Sequence, residues 1–212
     1  MCENNTKIPI MQGTDEWRRQ RLGRVTASRI ADVMATTKTG YGASRKNYMA
    51  ELIVERLTGV VEEGYKNAAM QWGTDTEPLA RAAYEEKTFN EVVLTGFIQT
   101  PDGLSAGASP DGLVGEDGLI EIKCPNTATH LDTLLSKSID RKYLLQMQWQ
   151  MYATGSKWCD FVSYDPRLPD HLRIFIKRVE RDDALIAEIV AEVKKFLAEL
   201  DDMQKKLSEV KP

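Results

Sequence analysis

The first third of the chain places apolar residues at the three- and four-residue spacing of amphipathic helices. Four helices are predicted here: one begins at residue 14 or 15, and the others cover residues 26–34, 48–57 and 68–87. The last should be interrupted or capped at residues 73–76, because Gly73 lies within it and Pro78 suits the first turn of a helix. Residues 36–44 are polar and contain glycine, which favours a loop.

The middle of the chain changes to the short and alternating apolar runs that are typical of strands. Strands are predicted at residues 92–98, 104–108, 119–123, 158–164 and 172–179, with helices at 130–137 and 141–152. A final helix over 182–207 carries an apolar stripe, which we expect to cover the sheet first and to leave its later turns for self-association. This order predicts an α/β fold (α+β in some schemes) with a central mixed sheet flanked by helices.

Composition narrows the class of protein. A chain of 212 residues, 42% hydrophobic and 28% charged, can bury the core of one ordinary globular domain. We see no apolar run of membrane-spanning length and no signal-peptide core, so no membrane is expected. Cys2, Cys124 and Cys159 are odd in number and widely spaced, which favours the cytoplasm and argues against a disulfide framework or a four-cysteine metal site.

Charge is distributed unevenly although the net charge is −4. Residues 17–46 contain eight basic side chains and one acid, and five of the arginines fall between Arg18 and Arg29. A basic surface on an acidic body can attract a phosphate backbone locally. A solvated basic helix without a ligand is the alternative that this stretch leaves open.

Asp111, Glu121 and Lys123 are the candidate chemical groups. Glu121 and Lys123 are two residues apart in an apolar run, so on a strand both side chains point to the same face. Asp111 lies in a turn-forming segment and can approach that face from a neighbouring strand. Two carboxylates and one ammonium suit a hard divalent cation and a lysine-assisted attack of water on phosphate. A solvated Glu–Lys pair is the alternative, but the apolar flanks predict a central strand, where charge is costly.

Six blocks in one order along the chain resemble the lambda-exonuclease family of YqaJ-like phage recombination exonucleases. They lie at residues 17–28, 72–77, 109–113, 119–125, 143–148 and 164–167. The resemblance implies a single nuclease domain with a restriction-endonuclease-like core: a DNA-end-binding part at about 14–90, a catalytic sheet at about 91–180 and a helix at about 182–207. It implies a 5′→3′ exonuclease on double-stranded DNA ends that leaves a 3′ single strand for an annealing protein. It further implies a homotrimeric ring, encoded by a phage or prophage and acting in the bacterial cytoplasm.

Family resemblance also implies roles for particular residues. Asp111, Glu121 and the backbone carbonyl of Ile122 would bind Mg²⁺, with two ions per active site and Mn²⁺ as a substitute. Lys123 would orient or deprotonate the attacking water, and the further catalytic positions are Glu77 and Gln146. For Glu77 the alternative is an acid stabilised by the dipole at a helix N-terminus. For Gln146 it is a buried core amide.

A second set of positions matches the family's DNA-end contacts. Arg21, Ser28 and Ser109 would bind the terminal 5′-phosphate, which suits a guanidinium and hydroxyl donors. Met70 would part the terminal base pair as an apolar wedge, although a core methionine is the commoner role and is the one we prefer from sequence. Lys38 would contact the duplex. The alternatives are an N-cap for Ser28 and turn formation for Ser109, and the rival functions are an endonuclease and a non-catalytic DNA-end-binding protein.

Overall fold

The computed structural model describes residues 10–61 and 67–211. These residues form seven α-helices, namely α1 (Asp15–Arg21), α2 (Ile30–Val33), α3 (Ala43–Thr58), α4 (Ala68–Thr88), α5 (Thr127–Ser136), α6 (Arg141–Thr154) and α7 (Asp183–Ser208). They also form ten strands, namely β1 (Val25–Thr26), β2 (Thr36–Thr37), β3 (Gly40–Tyr41), β4 (Val92–Val93), β5 (Ile98–Gln99), β6 (Ala106–Ala108), β7 (Gly112–Val114), β8 (Gly118–Lys123), β9 (Trp158–Tyr164) and β10 (Ile174–Glu180). No helix in this part of the chain is long and apolar enough to span a membrane.

A five-stranded mixed sheet forms the centre of the molecule, in the order β10-β9-β8-β7-β4. Strands β8 and β9 are parallel, and the other neighbours in the sheet are antiparallel. The parallel pair requires a long crossover, which α5 and α6 supply. The prediction of a central mixed sheet with residues 119–123 on an inner strand is therefore confirmed.

Helices cover both faces of this sheet. On one face, Ile120 and Ile122 of β8 lie in a buried cluster with Tyr84 of α4. On the other face, Leu119 of β8 lies in a buried cluster with Met147 of α6. Because side chains alternate along a strand, the odd-numbered residues that follow Leu119 also point towards α6.

A second, three-stranded sheet has the order β1-β6-β5. Strand β1 runs parallel to β6, with Val25 opposite Ala106 and Thr26 opposite Gly107. Under it lies the largest buried cluster, to which α2, α3, α6 and α7 contribute. This sheet therefore joins the N-terminal helices to the segment that leads from β6 into β7.

Several predicted boundaries in the N-terminal half are wrong. The helix expected over 26–34 is the end of β1, a 3₁₀ turn at Ala27–Arg29 and the short α2, while the loop expected over 36–44 contains the β2–β3 hairpin. Helix α4 runs through residues 73–76 without a break, with Pro78 inside it. An internal proline costs a helix about 3 kcal/mol. Burial of Ala80 and Tyr84 against the sheet offsets that cost.

Strand predictions around residues 92–114 are also wrong in part. The single strand expected over 92–98 is divided between β4 and β5, which belong to different sheets. Strand β7 was not predicted, because three residues beginning with glycine carry almost no periodic signal. A Cβ at Gly112 would lie 2.2 Å from Cγ1 of Val92, so close strand packing explains the glycine.

Helix α7 does not cover the sheet. Its buried residues end at Leu200 and pack against α2, α3 and α6, in the cluster under the three-stranded sheet and not on the central one. Met203 and Leu207, which belong to the same stripe, are 39% and 43% exposed. Self-association through these later turns stays a prediction.

Candidate functional site

Asp111, Glu121 and Lys123 meet at the carboxyl end of β8. Strand β7 is antiparallel to β8 with Gly112 opposite Ile120, so Asp111 lies beside Glu121 just beyond that pair. Oδ2 of Asp111 accepts a 2.7 Å hydrogen bond from the backbone N–H of Ile122. Nζ of Lys123 lies 2.5 Å from Oε1 of Glu121, so the two side chains share one face, as the two-residue spacing predicts.

Two glutamines on α6 hold the Glu121 carboxylate, which is 0% exposed. Nε2 of Gln146 donates to Oε1 at 2.6 Å, and Nε2 of Gln150 donates to Oε2 at 2.6 Å. Gln146 is half-buried and hydrogen-bonds Glu121, and its catalytic role stays a prediction. Sequence reasoning missed Gln150, although a spacing of four residues from Gln146 puts both amides on one side of a helix.

Burial and mutual charge perturb this cluster. Burial and the neighbouring Glu121 carboxylate raise the pKa of Asp111 well above its ordinary value. Burial acts to lower the pKa of Lys123, but Glu121 and Asp111 outweigh it and raise that pKa above its ordinary value. The site therefore contains two carboxylates that repel each other beside one ammonium, and a further positive charge there would be stabilised.

The donor atoms fit a hard divalent cation. Such ions take oxygen ligands, and Mg²⁺ is commonly held by one or two carboxylates while water and substrate phosphate complete its shell. Asp111 and Glu121 supply the carboxylates, and the carbonyl of Ile122 belongs to the same strand end. Within residues 10–61 and 67–211, no group of three or more Asp, Glu, His or Cys could enclose a metal ion by itself. The donor set thus fits an ion that is shared with substrate.

A cleft of about 630 Å³ opens beside these groups, between α4 and the end of β8. Its walls include Met70 and Glu77 from α4, Tyr143 from α6, and Asp111 and Lys123. Glu77 lies inside α4 and forms a 2.6 Å ion pair with Arg81, so it is not an acid at a helix N-terminus. Met70 is 57% exposed, so the preferred sequence interpretation of a core methionine is wrong.

A second cleft of about 450 Å³ adjoins the first and contains Arg21, Ser28 and, again, Met70. Strands β1 and β6 are parallel, and Ser28 and Ser109 each follow a paired residue, Thr26 or Gly107, by two positions, at the same edge of the three-stranded sheet. Ser28 is exposed within the 3₁₀ turn and does not cap it, so the N-cap alternative is wrong.

Trp17 links Arg21 of this second cleft to Ser109, which is not among the cleft's lining residues. Its Nε1 donates to Oγ of Ser109 at 3.0 Å, and the guanidinium carbon of Arg21 lies 4.1 Å from the centre of its ring. Burial lowers the pKa of Arg21 from its ordinary value. Arg21 and Arg24 line the cleft, and neither has a carboxylate within 4 Å among the described residues.

The basic surface is smaller than the sequence predicts. Arg18, Arg19, Arg29 and Arg45 all form ion pairs, with partners Asp15, Glu16, Asp32 with Glu51, and Glu199. Their charge is therefore compensated within the molecule. Lys38 is exposed in the turn of the β2–β3 hairpin and lines neither cleft.

An ion pair between the buried Asp165 and the half-exposed Arg167 contacts the segment that carries Met70 and Glu77. Arg167 donates to both oxygens of Asp165, at 2.7 and 2.8 Å, and Asp165 is 0% exposed. The same guanidinium lies 4.4 Å from the ring centre of Trp72 in α4. The blocks at 72–77 and 164–167 therefore meet at this contact, which holds the first turns of α4 near the end of β8.

Replacing Arg167 with methionine should lower the melting temperature at neutral pH, because the buried Asp165 carboxylate would lose its charged partner and keep only the hydroxyl of Thr127 and the backbone N–H of residue 167 as donors. Hydrogen bonds from Arg167 lower the pKa of Asp165 to about 2. The pair therefore stabilises the fold above the ordinary aspartate pKa, and that stabilisation is lost as the pH falls towards 2. Thermal unfolding from pH 7 down to pH 2 should show the difference between variant and wild type shrinking below about pH 4.

Arg173→Met is the matched control. Arg173 also forms a 2.7 Å pair with an aspartate, but that partner, Asp170, is 89% exposed, so water replaces the lost contact. We expect little change in its melting temperature. Equal destabilisation by the two substitutions would contradict a special role for the buried pair.

Comparison with known proteins agrees with this fold. An alkaline exonuclease, LHK-Exo from Laribacter hongkongensis, is 56% identical with a TM-score of 0.86, over 92% of this chain and 96% of that one. A structure of LHK-Exo in complex with dAMP is 57% identical, with the same TM-score and coverage. A phage-related exonuclease from Haemophilus somnus 129PT, 18% identical with a TM-score of 0.73 over 87% and 96% of the two chains, shares the fold.

These similarities define a nuclease with the restriction-endonuclease-like fold that acts on DNA. The chain belongs to the family of the YqaJ-like viral recombinase domain, whose sequence model matches residues 16–157. A comparison with curated protein sequences found no match. The resemblance on which the site residues were predicted is thus confirmed, while the role of each residue stays a proposal.

Proposed function

We propose that this nuclease is a Mg²⁺-dependent 5′→3′ exonuclease that acts on double-stranded DNA ends. It releases nucleotides from the 5′-phosphorylated strand and leaves a 3′ single strand for recombination by annealing. One observation carries the proposal: the cleft of Asp111 and Lys123 adjoins the cleft of Arg21 and Ser28, with Met70 in the walls of both. A strand whose terminal phosphate lies in the second cleft would present its next phosphodiester to the first.

The residues of the second cleft would select the end. Arg21 can bind a terminal phosphate through two parallel N–H donors, and Ser28 and Ser109 add hydroxyl donors. Met70 is exposed between the clefts, where an apolar side chain can part a terminal base pair. Lys38 lies outside both clefts, and its exposed ammonium suits contact with the duplex backbone.

The residues of the first cleft would cut the bond. Bound by Asp111, Glu121 and the Ile122 carbonyl, Mg²⁺ would supply Lewis-acid stabilisation and an acidified water, and we propose two ions, with Mn²⁺ as a substitute. Lys123 orients the attacking water and offsets the charge that develops on the phosphate. Gln146 holds the Glu121 carboxylate in place, and Glu77 adds negative charge across the cleft.

Assembly and biological setting belong to the same proposal. A homotrimeric ring around DNA would retain its substrate by topology, and a single-strand annealing protein would take over the 3′ strand. Membership of the YqaJ-like viral recombinase family supports a phage or prophage origin, with action in the host cytoplasm. The dAMP complex of LHK-Exo supports release of mononucleotides. Residues 14–90 would bind the DNA end, residues 91–180 would carry the chemistry, and residues 182–207 would brace the domain.

Three substrates test the proposal: a linear duplex with 5′-phosphates, the same duplex with 5′-hydroxyls, and a closed circle. With Mg²⁺, we expect rapid digestion of the first, slow digestion of the second and none of the third; chelator should stop the reaction. Labelling each strand end separately reports the polarity, and a 5′ label should be released first. Equal cutting of all three substrates would instead establish an endonuclease.

A further inference from the structure

Gln150 is an amide in an unusual place. It is 0% exposed in the middle of α6, and its Nε2 donates to Oε2 of Glu121 at 2.6 Å. Its own Oε1 is buried and has no hydrogen-bond partner among the described residues. An unpartnered buried acceptor destabilises a fold. Packing alone would therefore favour an apolar residue here, and the contact with Glu121 is what distinguishes the glutamine.

The contact with Gln150 differs from the other contacts of Glu121. Oε1 has two donors, Nζ of Lys123 and Nε2 of Gln146, whereas within residues 10–61 and 67–211 the one side-chain donor to Oε2 is Gln150. The last torsion of a glutamate side chain is broad, so a carboxylate held at one oxygen can still rotate. Holding both oxygens fixes its plane. Gln150 is itself 0% exposed, so bulk water does not compete for this contact.

We propose that Gln150 is a positioning residue that fixes the Glu121 carboxylate and thereby sets the affinity of the active site for its divalent cation. It does not line either cleft, so it touches neither the DNA nor the reacting atoms. Groups that orient a metal ligand commonly change metal affinity by 10–100-fold when they are removed. The inference rests on the proposed function, because it requires Glu121 to be a ligand.

Gln150→Met tests it, since methionine has nearly the same length and no donor. Without DNA, calorimetric titration of the full chain with Mn²⁺ should give a dissociation constant raised about 10-fold or more. The Mn²⁺ concentration for half-maximal hydrolysis should rise in parallel. At saturating Mn²⁺ the KM for DNA should be unchanged, because the DNA contacts are intact.

Gln148→Met is the matched control. Gln148 is a second buried glutamine of α6, but it donates to the carbonyl of Glu180 and accepts from the N–H of Asp182, which joins α6 to the start of α7. It should lower the melting temperature and leave Mn²⁺ affinity unchanged. A merely structural role for Gln150 predicts the same result for both variants.

Gln150→Asn keeps the experiment decisive if the methionine variant folds poorly. It retains the amide but withdraws it by one methylene, so it too should weaken Mn²⁺ binding. Wild-type affinity in either folded Gln150 variant would overturn the inference.

Asp111→Asn distinguishes failure of the proposed metal site from failure of the role proposed for Gln150. If Asp111→Asn abolishes Mn²⁺ binding while the Gln150 variants bind normally, the metal site stands and only the role of Gln150 fails. If the wild type itself binds no Mn²⁺, both are overturned.

Discussion

Lys123→Ala should reduce hydrolysis of 5′-phosphorylated duplex DNA by about 10²–10⁴-fold, the range for a positioned group that orients or activates the nucleophile. The ammonium is 2.5 Å from Glu121 and faces the cleft that would hold the scissile phosphate. Alanine removes that charge and leaves the strand that carries it. Single-turnover digestion at saturating Mg²⁺ measures the chemical step, and fluorescence anisotropy with an end-labelled duplex in chelator measures binding. We expect binding to DNA ends to persist.

Lys142→Ala is the control for charge. Both lysines approach the ring of Tyr143, with Nζ at 5.0 Å for Lys123 and 4.8 Å for Lys142, but Lys142 is 54% exposed and pairs weakly with Asp140. Its removal should leave the rate of hydrolysis nearly unchanged. Retained hydrolysis in Lys123→Ala would refute the catalytic role. Loss of binding together with hydrolysis would make Lys123 a DNA-binding residue instead.

Arg21→Ala should abolish the preference for phosphorylated ends. A hydrogen bond to a charged group contributes about 1.5–3 kcal/mol, which corresponds to roughly 10–100-fold in rate on a 5′-phosphorylated duplex. Digestion of a 5′-hydroxyl duplex, which lacks the partner of Arg21, should change much less. The measurement is the ratio of initial rates on the two substrates, and it should fall towards one.

Arg18→Ala provides the comparison from the same cleft. Arg18 also lines it, but its guanidinium is 2.6 Å from Asp15 and its charge is already compensated. The rate ratio should stay near that of the wild type. An Arg21 variant that still prefers phosphorylated ends would place the 5′-phosphate elsewhere and would remove the main support for an end-directed enzyme.

The local sequence pattern was sufficient to predict that Glu121 and Lys123 lie on one face of β8. The alternation of Leu119, Glu121 and Lys123 depends only on the two-residue period of a strand, so it could be predicted without knowing the fold. The same holds for β9 and for the helices over 141–154 and 183–208, whose periodic signals are long. Resemblance of short blocks to a known family then identified the class of enzyme before any coordinates were considered.

Prediction failed where a segment is short or where a neighbour decides its role. Strands β1 and β7 are too brief to show periodicity, yet their pairing places Ser28 and Ser109 at one edge of a sheet and Asp111 beside Glu121. Met70 is exposed because of where the first turns of α4 lie in the folded molecule, and the local sequence pattern does not predict that position. Nothing in the sequence distinguishes Gln150 from the other glutamines of α6, because its role depends on the hydrogen bond from its amide to Glu121.

The sequence by itself determined which chemical groups are present, their spacing within single strands and helices, and the family. Tertiary structure alone decided which of those groups meet. It compensated Arg29 and Arg45 with carboxylates from distant segments and left Arg21 beside Trp17. Periodicity is a property of neighbours along the chain, whereas pairing, burial and charge compensation depend on contacts between segments far apart in sequence. The active site is built from contacts of the second kind.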